Sequence, residues 1–193
     1  MNKETKIIAG FPGVGKTKYL QNLPEDVKAL DSDSSKYSWV LDENGNKVNG
    51  EDGKPMRNPN FIKDYMAHIK SNLGQCDVIF ISTHGDVQKA LTDEGIKYSI
   101  VYPSVEQKEQ WINRLRNRAD TGGLNNEGFL KLVHDNYEKW IEAIQQDEFA
   151  TKFELPNKGE NGVSKTLIKD ASASKISKDI LPIDSGKTKG AFK

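Results

Sequence analysis

Hydrophobic residues in this chain fall into short runs that alternate with segments in which apolar positions recur at helical spacing. The short runs predict five strands, over residues 6–9, 27–30, 78–82, 98–102 and 151–155. The helical spacing predicts helices over residues 16–23, 59–73, 88–91, 106–118 and 126–146. Asn58, followed by Pro59, is the expected N-cap of the second helix. This alternation predicts an α/β fold with a mostly parallel five-stranded sheet, whose ligands bind beyond the carboxyl ends of the strands.

Two segments depart from the alternation. Residues 42–59 contain three glycines and almost no apolar residue, which predicts a flexible loop with Asn44-Gly45 as the candidate turn of a small hairpin. Residues 156–193 hold eight lysines, four acidic residues and a single aromatic residue. We therefore expect a main domain over residues 1–155 and a basic, partly flexible, peripheral C-terminal extension over residues 156–193. No internal repeat is visible.

Composition excludes several classes of protein. The 193 residues include 28 basic and 28 acidic side chains, so overall charge does not favour nucleic acid or membrane, although the basic extension is a candidate DNA contact. Cys76 is the single cysteine, and the three histidines have no zinc-binding spacing. No apolar run is long enough to span a membrane, and the N-terminus has no signal-peptide pattern. These features predict a soluble, cytoplasmic protein, and they leave its oligomeric state open.

The most informative segment is Gly10-Phe11-Pro12-Gly13-Val14-Gly15-Lys16-Thr17, which matches G-x-x-x-x-G-K-[ST] between a predicted strand and a predicted helix. Glycines let backbone N–H groups surround a phosphate, while the lysine reaches the β- and γ-phosphates and the hydroxyl binds Mg²⁺. The start of the following helix adds partial positive charge. We therefore predict that ATP and Mg²⁺ are the cofactors. The candidate nucleotide-binding residues are Gly10, Pro12, Gly13, Val14, Gly15, Lys16, Thr17 and Lys18.

Other motifs narrow the class of phosphate-loop protein. The chain has no Asn/Thr-Lys-x-Asp motif of switch GTPases, and its strand over residues 78–82 does not end in the acidic residues of ATPase motors. It does have Arg114 and Arg118, one turn apart on a predicted helix that leads into a glycine-bearing loop. Arg116 falls on another side of that helix. The alternative interpretation is that all three arginines are solvated surface residues.

Over residues 6–150 the phosphate loop, the arginine-bearing helix and the overall size resemble phage-type deoxynucleoside monophosphate kinases and their relatives. The resemblance implies a three-layer P-loop NTPase fold with strand order 2-3-1-4-5 and a short lid. It also implies that Arg114 and Arg118 are catalytic, neutralising charge on the migrating phosphoryl group, and that the protein acts in a host cytoplasm if phage-encoded. The adenylate kinase stretch after strand three and the acidic-Arg motif of thymidylate kinases are both missing, so base specificity is not carried over.

The end of the second strand, Asp31-Ser32-Asp33-Ser34-Ser35, lies where an acceptor would bind. Asp33 is a candidate general base, and Asp31 a candidate contact to Mg²⁺ beside Thr17. The equally weighted alternative is that these residues cap a turn.

Other candidates lie nearby, each with a plain structural alternative. His84 is a candidate phosphate contact or a turn residue. Arg57 and Lys54 are candidate ligands of an acceptor phosphate or solvated loop charges. Trp39 and Tyr37 are candidates for stacking on a base or for packing in a local core.

Together these features predict an ATP- and Mg²⁺-dependent phosphotransferase that acts on a nucleotide substrate, with a (deoxy)nucleoside monophosphate as the leading acceptor. A first alternative is a P-loop kinase of a hydroxyl group, on a polynucleotide 5′ end or on a modified base in DNA. The basic extension and the Asp31/Asp33 pair favour that alternative. A second alternative is a non-catalytic nucleotide-binding accessory protein.

Overall fold

A computed structural model describes residues 5–119 and 127–155 of the chain. The strands are β1 (Lys6–Gly10), β2 (Ala29–Asp31), β3 (Val78–Ser82), β4 (Ser99–Pro103) and β5 (Thr151–Leu155). The helices are α1 (Lys16–Leu20), α2 (Phe61–Ser71), α3 (Gly85–Asp93), α4 (Lys108–Ala119) and α5 (Glu127–Gln146). Short 3-10 turns cover Ser34–Lys36 and Val105–Gln107. The lid loop and the C-terminal extension expected from the sequence lie outside the described residues.

The five strands form one sheet in the order β2-β3-β1-β4-β5, and every neighbouring pair is parallel. The sheet order that the resemblance implied is thereby confirmed. Helices α2 and α3 pack against each other, as do α4 and α5, which gives the expected three-layer α/β architecture. Since β1 is central, the segment that follows Gly10 leaves the middle of the carboxyl edge, where parallel sheets bind ligands.

The core explains why the strands read as continuous apolar runs. Residues Val78, Ile79 and Ile81 of β3 are fully buried, because helices cover both faces of a parallel sheet. Helix α5 contributes Val133, Tyr137, Ile141 and Ile144, the buried members of the regular stripe. Burial of such side chains contributes about 1.5–3 kcal/mol each, so the core between the sheet and its helices is a large source of stability.

Several element boundaries differ from the sequence-based predictions. Helix α1 ends at Leu20 and not near residue 23, because the Asn22 side-chain amide donates to the Lys18 carbonyl at 2.7 Å and stops the last turn. Strand β2 begins at Ala29, the partner of Val78. Helix α3 is longer than the predicted four residues and begins at Gly85.

The predicted start of α2 was also wrong by two residues. Asn58 is not its N-cap, since the Asn58 side-chain oxygen accepts the Asn60 backbone N–H at 2.9 Å and forms a turn before the helix. The amide nitrogen of Asn58 donates to the Tyr37 carbonyl at 3.0 Å and to Asp64 at 2.9 Å. Asn58 therefore ties the preceding segment to the start of α2, and the helix begins at Phe61.

Residues 38–58, hereafter the arm, form a paired unit and not a flexible loop. The hairpin predicted at Asn44-Gly45 is confirmed, because Leu41 and Lys47 pair across this turn and Gly45 has a φ of 80°. Three short segments pair antiparallel through the bridges Trp39–Arg57, Leu41–Lys47 and Asn49–Pro55. Backbone hydrogen bonds from Val48 to Val40 (3.0 Å), from Met56 to Val48 (2.8 Å) and from Val40 to Met56 (3.0 Å) close a ring. The three ring positions, Val40, Val48 and Met56, are eight residues apart in the sequence.

Candidate functional site

The loop between β1 and α1 has the backbone conformation that a phosphate-binding loop requires. Gly13 and Gly15 adopt φ values of 85° and 101°, in the left-handed region that favours glycine. The loop begins with Phe11, whose N–H donates to the Val101 carbonyl of β4 at 2.9 Å, and Val14 N–H returns to the Phe11 carbonyl at 3.1 Å. The loop is thus fixed to the central strands at its base and turns sharply above them.

Lys16 lies over this loop. Its Nζ donates to the Gly10 carbonyl at 2.7 Å, so the ammonium group is already at the mouth of the turn. A Cβ at Gly10 would come within 2.8 Å of the Val14 side chain and 3.0 Å of the Lys16 side chain. A side chain at this position would therefore crowd Val14 and the lysine that folds back over the loop. Thr17 and Lys18 follow on the first turn of α1, where both side chains are exposed.

Helix α4 packs directly on the phosphate loop, a contact that the sequence analysis did not anticipate. The Trp111 indole N–H donates to the Pro12 carbonyl at 2.7 Å. Phe11 packs edge-on against Trp111, Tyr137 and Trp140 with ring centroids 6.4, 5.4 and 6.2 Å away. The available signal was the placement of Trp111 on the apolar side of α4, which indicated burial but not the partner.

Arg114 lies one turn further along α4 and stacks on the same tryptophan. Its Cζ atom is 5.0 Å from the Trp111 ring centroid, a cation–π contact, and the side chain is half-buried. Arg116 is exposed and donates to the Asn113 side chain at 2.8 Å, which agrees with its predicted separation from Arg114. Arg118 belongs to the last turn of α4, but its side chain lies outside the described residues.

A chain of polar side chains crosses the carboxyl ends of β2 and β3. Ser34 Oγ donates to Ser82 Oγ at 3.0 Å, and His84 Nε2 lies 3.1 Å from Ser34 Oγ. Ser82 is the register partner of Gly10, so this chain lies directly beside the phosphate loop. His84 is joined to this chain through Ser34, and its role as a phosphate contact stays a prediction.

Burial and charge tune the ionisable groups at this edge. The pKa of His84 is lowered from 6.5, first by desolvation and then by the positive charge of Arg57, although part of the ring stays exposed. Burial raises the pKa of Tyr65 to about 12, and the Asp33 and Asp31 charges add to the increase. The Tyr65 hydroxyl donates to the Ser32 carbonyl at 2.5 Å. Desolvation and the charge of Arg57 thus favour the neutral form of the His84 imidazole at this edge.

Asp33 caps a turn, which is one of the two roles considered for it from the sequence. Its carboxylate accepts the Ser35 backbone N–H and the Ser35 hydroxyl, both at 2.9 Å, and caps the 3-10 turn that follows β2. Asp31 is the last residue of β2 and is partly buried. Both carboxylates lie at the sheet edge that faces ligands, separated from β1 by β3.

The aromatic and basic candidates in the arm and at Tyr37 beside it differ in what they contact. Trp39 makes two cation–π contacts, with Arg57 Cζ 4.3 Å and Lys47 Nζ 4.9 Å from its ring centroid. The arginine therefore occupies a position in which a nucleobase would stack on the ring. Tyr37 packs in a local aromatic cluster, 5.4 Å from Tyr65 and 5.1 Å from His68. Lys54 is exposed, 3.9 Å from the Asp52 carboxylate within the arm.

Two features are absent from residues 5–119 and 127–155. No group of three or more His, Cys, Asp or Glu side chains in these ranges is arranged to hold a metal ion. In the same ranges no helix combines the length and the apolar character that a membrane crossing requires.

No protein-family model and no curated protein matches the chain. Among solved structures, the tunicamycin resistance protein of Deinococcus radiodurans is similar at 16% identity and a TM-score of 0.47, covering 86% of this chain and 94% of that protein. A gluconokinase from Sinorhizobium meliloti 1021 is similar at 13% identity and a TM-score of 0.47, covering 85% of this chain and 89% of that enzyme. A score of this size describes a partial superposition, and the assignment of the fold rests on the strand order and on the geometry of the phosphate loop.

Proposed function

We propose that this chain is an ATP- and Mg²⁺-dependent phosphotransferase. The observation that supports the proposal most directly is the loop over residues 10–17, which combines left-handed Gly13 and Gly15 with Lys16 folded over the turn at the end of the central strand. Backbone N–H groups in such a turn bind phosphate oxygens, and the lysine adds a positive charge at the same point. ATP supplies the phosphoryl group and Mg²⁺ neutralises charge on its phosphates.

The residues present fit this cofactor pair. Mg²⁺ in nucleotide sites is held by one or two protein oxygens together with phosphates and water, so a cluster of carboxylates is not needed. Thr17 offers an exposed hydroxyl at the start of α1, and Asp31 lies at the same edge of the sheet. In this proposal Lys16 positions the phosphates, Thr17 and Asp31 hold the metal, and Arg114 and Arg118 stabilise charge during transfer.

The first experiment measures ADP release and thermal unfolding with ATP and Mg²⁺. Saturating ligand stabilises a folded chain by about 2.7 kcal/mol at a hundredfold excess over Kd, so a clear rise in Tm is expected. Lys16→Ala removes most of this rise and nearly all turnover, whereas Lys63→Ala, an exposed lysine of α2, serves as the matched control. A Tm that no nucleotide changes would contradict the proposal.

For the acceptor, we propose a (deoxy)nucleoside monophosphate on the basis of the phosphate-loop and arginine pattern. A hydroxyl acceptor is the second candidate, because Asp31 and Asp33 place two carboxylates at the acceptor edge. Carboxylates repel an anionic phosphate, whereas a hydroxyl must lose its proton to a base. ADP release is therefore measured with nucleoside monophosphates and with DNA oligonucleotides as acceptors. ATP binding without transfer or hydrolysis would indicate an accessory protein.

Asp33→Asn separates the two acceptors. A monophosphate oxygen is already ionised, so this variant is expected to keep its kcat within a few-fold and to lose mainly in acceptor KM. A positioned base contributes about 10²–10⁴-fold to transfer onto a hydroxyl. A chemical step slowed by that factor and restored at higher pH, with acceptor binding intact, would favour the hydroxyl kinase. Asp31→Asn is measured in parallel.

A further inference from the structure

The inference concerns Trp111, which the proposed mechanism does not use. Its side chain is 1% exposed, and its indole N–H is bonded to the carbonyl of Pro12 in the middle of the phosphate loop at 2.7 Å. An unpaired buried donor or acceptor is costly, so this bond holds the carbonyl in place. Trp111 thus binds the loop backbone through its side chain.

The orientation of Pro12 determines the orientation of the next N–H. A trans peptide is planar, and its C=O and N–H point in opposite directions. Because the Pro12 carbonyl points at α4, the Gly13 N–H of the same peptide points away from α4. We propose that Trp111 is a positioning residue that keeps the phosphate loop in its anion-binding conformation and couples it to the helix that carries Arg114. The inference rests on the proposed nucleotide site.

Close packing on both sides of Trp111 supports this coupling. A Cβ at Gly13 would lie 2.8 Å from Leu115 Cδ2 and 3.3 Å from Trp111 Nε1, so the loop touches α4 with no space between them. The face of the same indole carries Arg114. A single side chain therefore contacts both the loop that would bind ATP and the arginine that would act on the migrating phosphoryl group.

The test is Trp111→Phe, which deletes the N–H and keeps an aromatic ring beneath Arg114. We expect KM for ATP to rise roughly tenfold, the effect of losing about one hydrogen bond that holds the binding conformation. We expect kcat to stay within about threefold, because the arginine keeps an aromatic support. Without ATP, backbone amides of residues 13–16 are expected to exchange with deuterium faster than in the wild-type chain.

The matched control is Tyr137→Phe. Tyr137 is fully buried, contacts the same Phe11 ring and donates its hydroxyl to the Ser104 carbonyl at 2.9 Å, so its loss costs one comparable buried hydrogen bond. We expect a smaller fall in Tm than for Trp111→Phe, which also leaves a cavity, and no change in KM for ATP or in exchange at residues 13–16. Equal kinetic and exchange effects in the two variants would overturn the inference and reduce Trp111 to a core residue.

If Trp111→Phe does not fold, β-(3-benzothienyl)alanine in place of Trp111 replaces the N–H by sulfur and keeps the shape of the ring. The same rise in KM and the same faster exchange are expected, and wild-type values for both would overturn the inference. Failure of the wild-type chain to bind ATP would overturn the proposed function and the inference together. If the wild-type chain binds and turns over ATP, and the Trp111 variant has the same KM for ATP and the same exchange at residues 13–16, the inference alone would be overturned.

Discussion

Two regions of this molecule contain an arginine stacked on a tryptophan, and their surroundings differ. On α4, Arg114 lies 5.0 Å from the ring of Trp111, which is buried and bonded to the phosphate loop. On the arm, Arg57 lies 4.3 Å from the ring of Trp39, which is half-buried and also carries Lys47. The contact is similar in both regions, but only the first is part of the core that fixes the loop.

The difference shows that a cation–π pair takes its role from the element beneath it. Such a pair contributes about 0.5–1 kcal/mol when exposed and more when desolvated. On α4 the pair is fixed to the backbone that would bind ATP, so we expect it to act on the reaction. On the arm the pair is held by backbone hydrogen bonds within the arm and reaches the site through the charge of Arg57 on His84. We therefore expect it to act on the acceptor.

The largest expected difference between the regions comes from removing each arginine. Arg114→Ala is expected to lower kcat by about 10³-fold with little change in ATP affinity, because the cation would meet charge that develops during transfer. Arg57→Ala is expected to raise the acceptor KM while kcat stays within a few-fold. Steady-state kinetics with both substrates varied measures these effects. Near-normal turnover of Arg114→Ala would remove the arginine pattern as support for a kinase and leave the phosphate loop alone.

A second comparison uses one left-handed glycine from each region. Gly13→Ala adds backbone strain at φ 85° and places a Cβ 2.8 Å from Leu115, so loss of nucleotide binding and a destabilisation above about 1–2 kcal/mol are expected. Gly53→Ala adds strain at φ 72° with nothing within 4 Å of the new Cβ. We expect it to cost about 1 kcal/mol and to leave ATP affinity unchanged. Urea unfolding and nucleotide titration distinguish the two, and equal losses of binding would contradict the separation of the regions.

The smallest effect tests the electrostatic link between the arm and the site. Folding lowers the pKa of His84 below 6.5. The stability that the neutral His84 contributes is therefore complete above pH 6.5, and it decreases as pH falls toward the folded-state pKa. Arg57→Ala is expected to raise the pKa of His84 while leaving it below 6.5, since desolvation is the larger cause. An NMR titration of the imidazole measures this change. Lys47→Ala, on the same tryptophan, is the control, and an unchanged pKa in Arg57→Ala would break the link.

The phosphate-loop region was predictable because its chemistry is local in sequence. A strand, a glycine pattern, a lysine, a threonine and a helix in register specify the loop without any knowledge of distant residues. The sequence also indicated that Arg114 and Arg116 lie on different sides of α4, which the structure confirms. The contact of Trp111 with Pro12 was not predictable in the same way, because the partners are separated by most of the domain and only the tertiary fold joins them.

Apart from the hairpin at Asn44-Gly45, the arm was not predictable, because its order comes from backbone and turn hydrogen bonds and not from apolar periodicity. The Asp42 side chain accepts the N–H groups of Asn44 and Asn46 at 2.9 and 2.8 Å, and this kind of turn leaves no hydrophobic pattern. For the same reason Asn58 was assigned to a helix start when its side chain in fact forms a turn before the helix. A sequence pattern rich in glycine and asparagine thus predicts flexibility even where side chains such as Asp42 and Asn58 accept backbone N–H groups and fix a turn.

The central position of β1 has a consequence for folding. Ile8 pairs with Phe80 on one side and with Ser99 on the other, so both neighbours of the first strand come from far along the chain. Non-local pairings of this kind form slowly because the intervening chain must first be closed into large loops. During synthesis the phosphate loop emerges before β3 and β4, and it lacks its supporting strands until both have followed. A nascent chain that stops short of β4 is therefore expected to gain no stability from ATP.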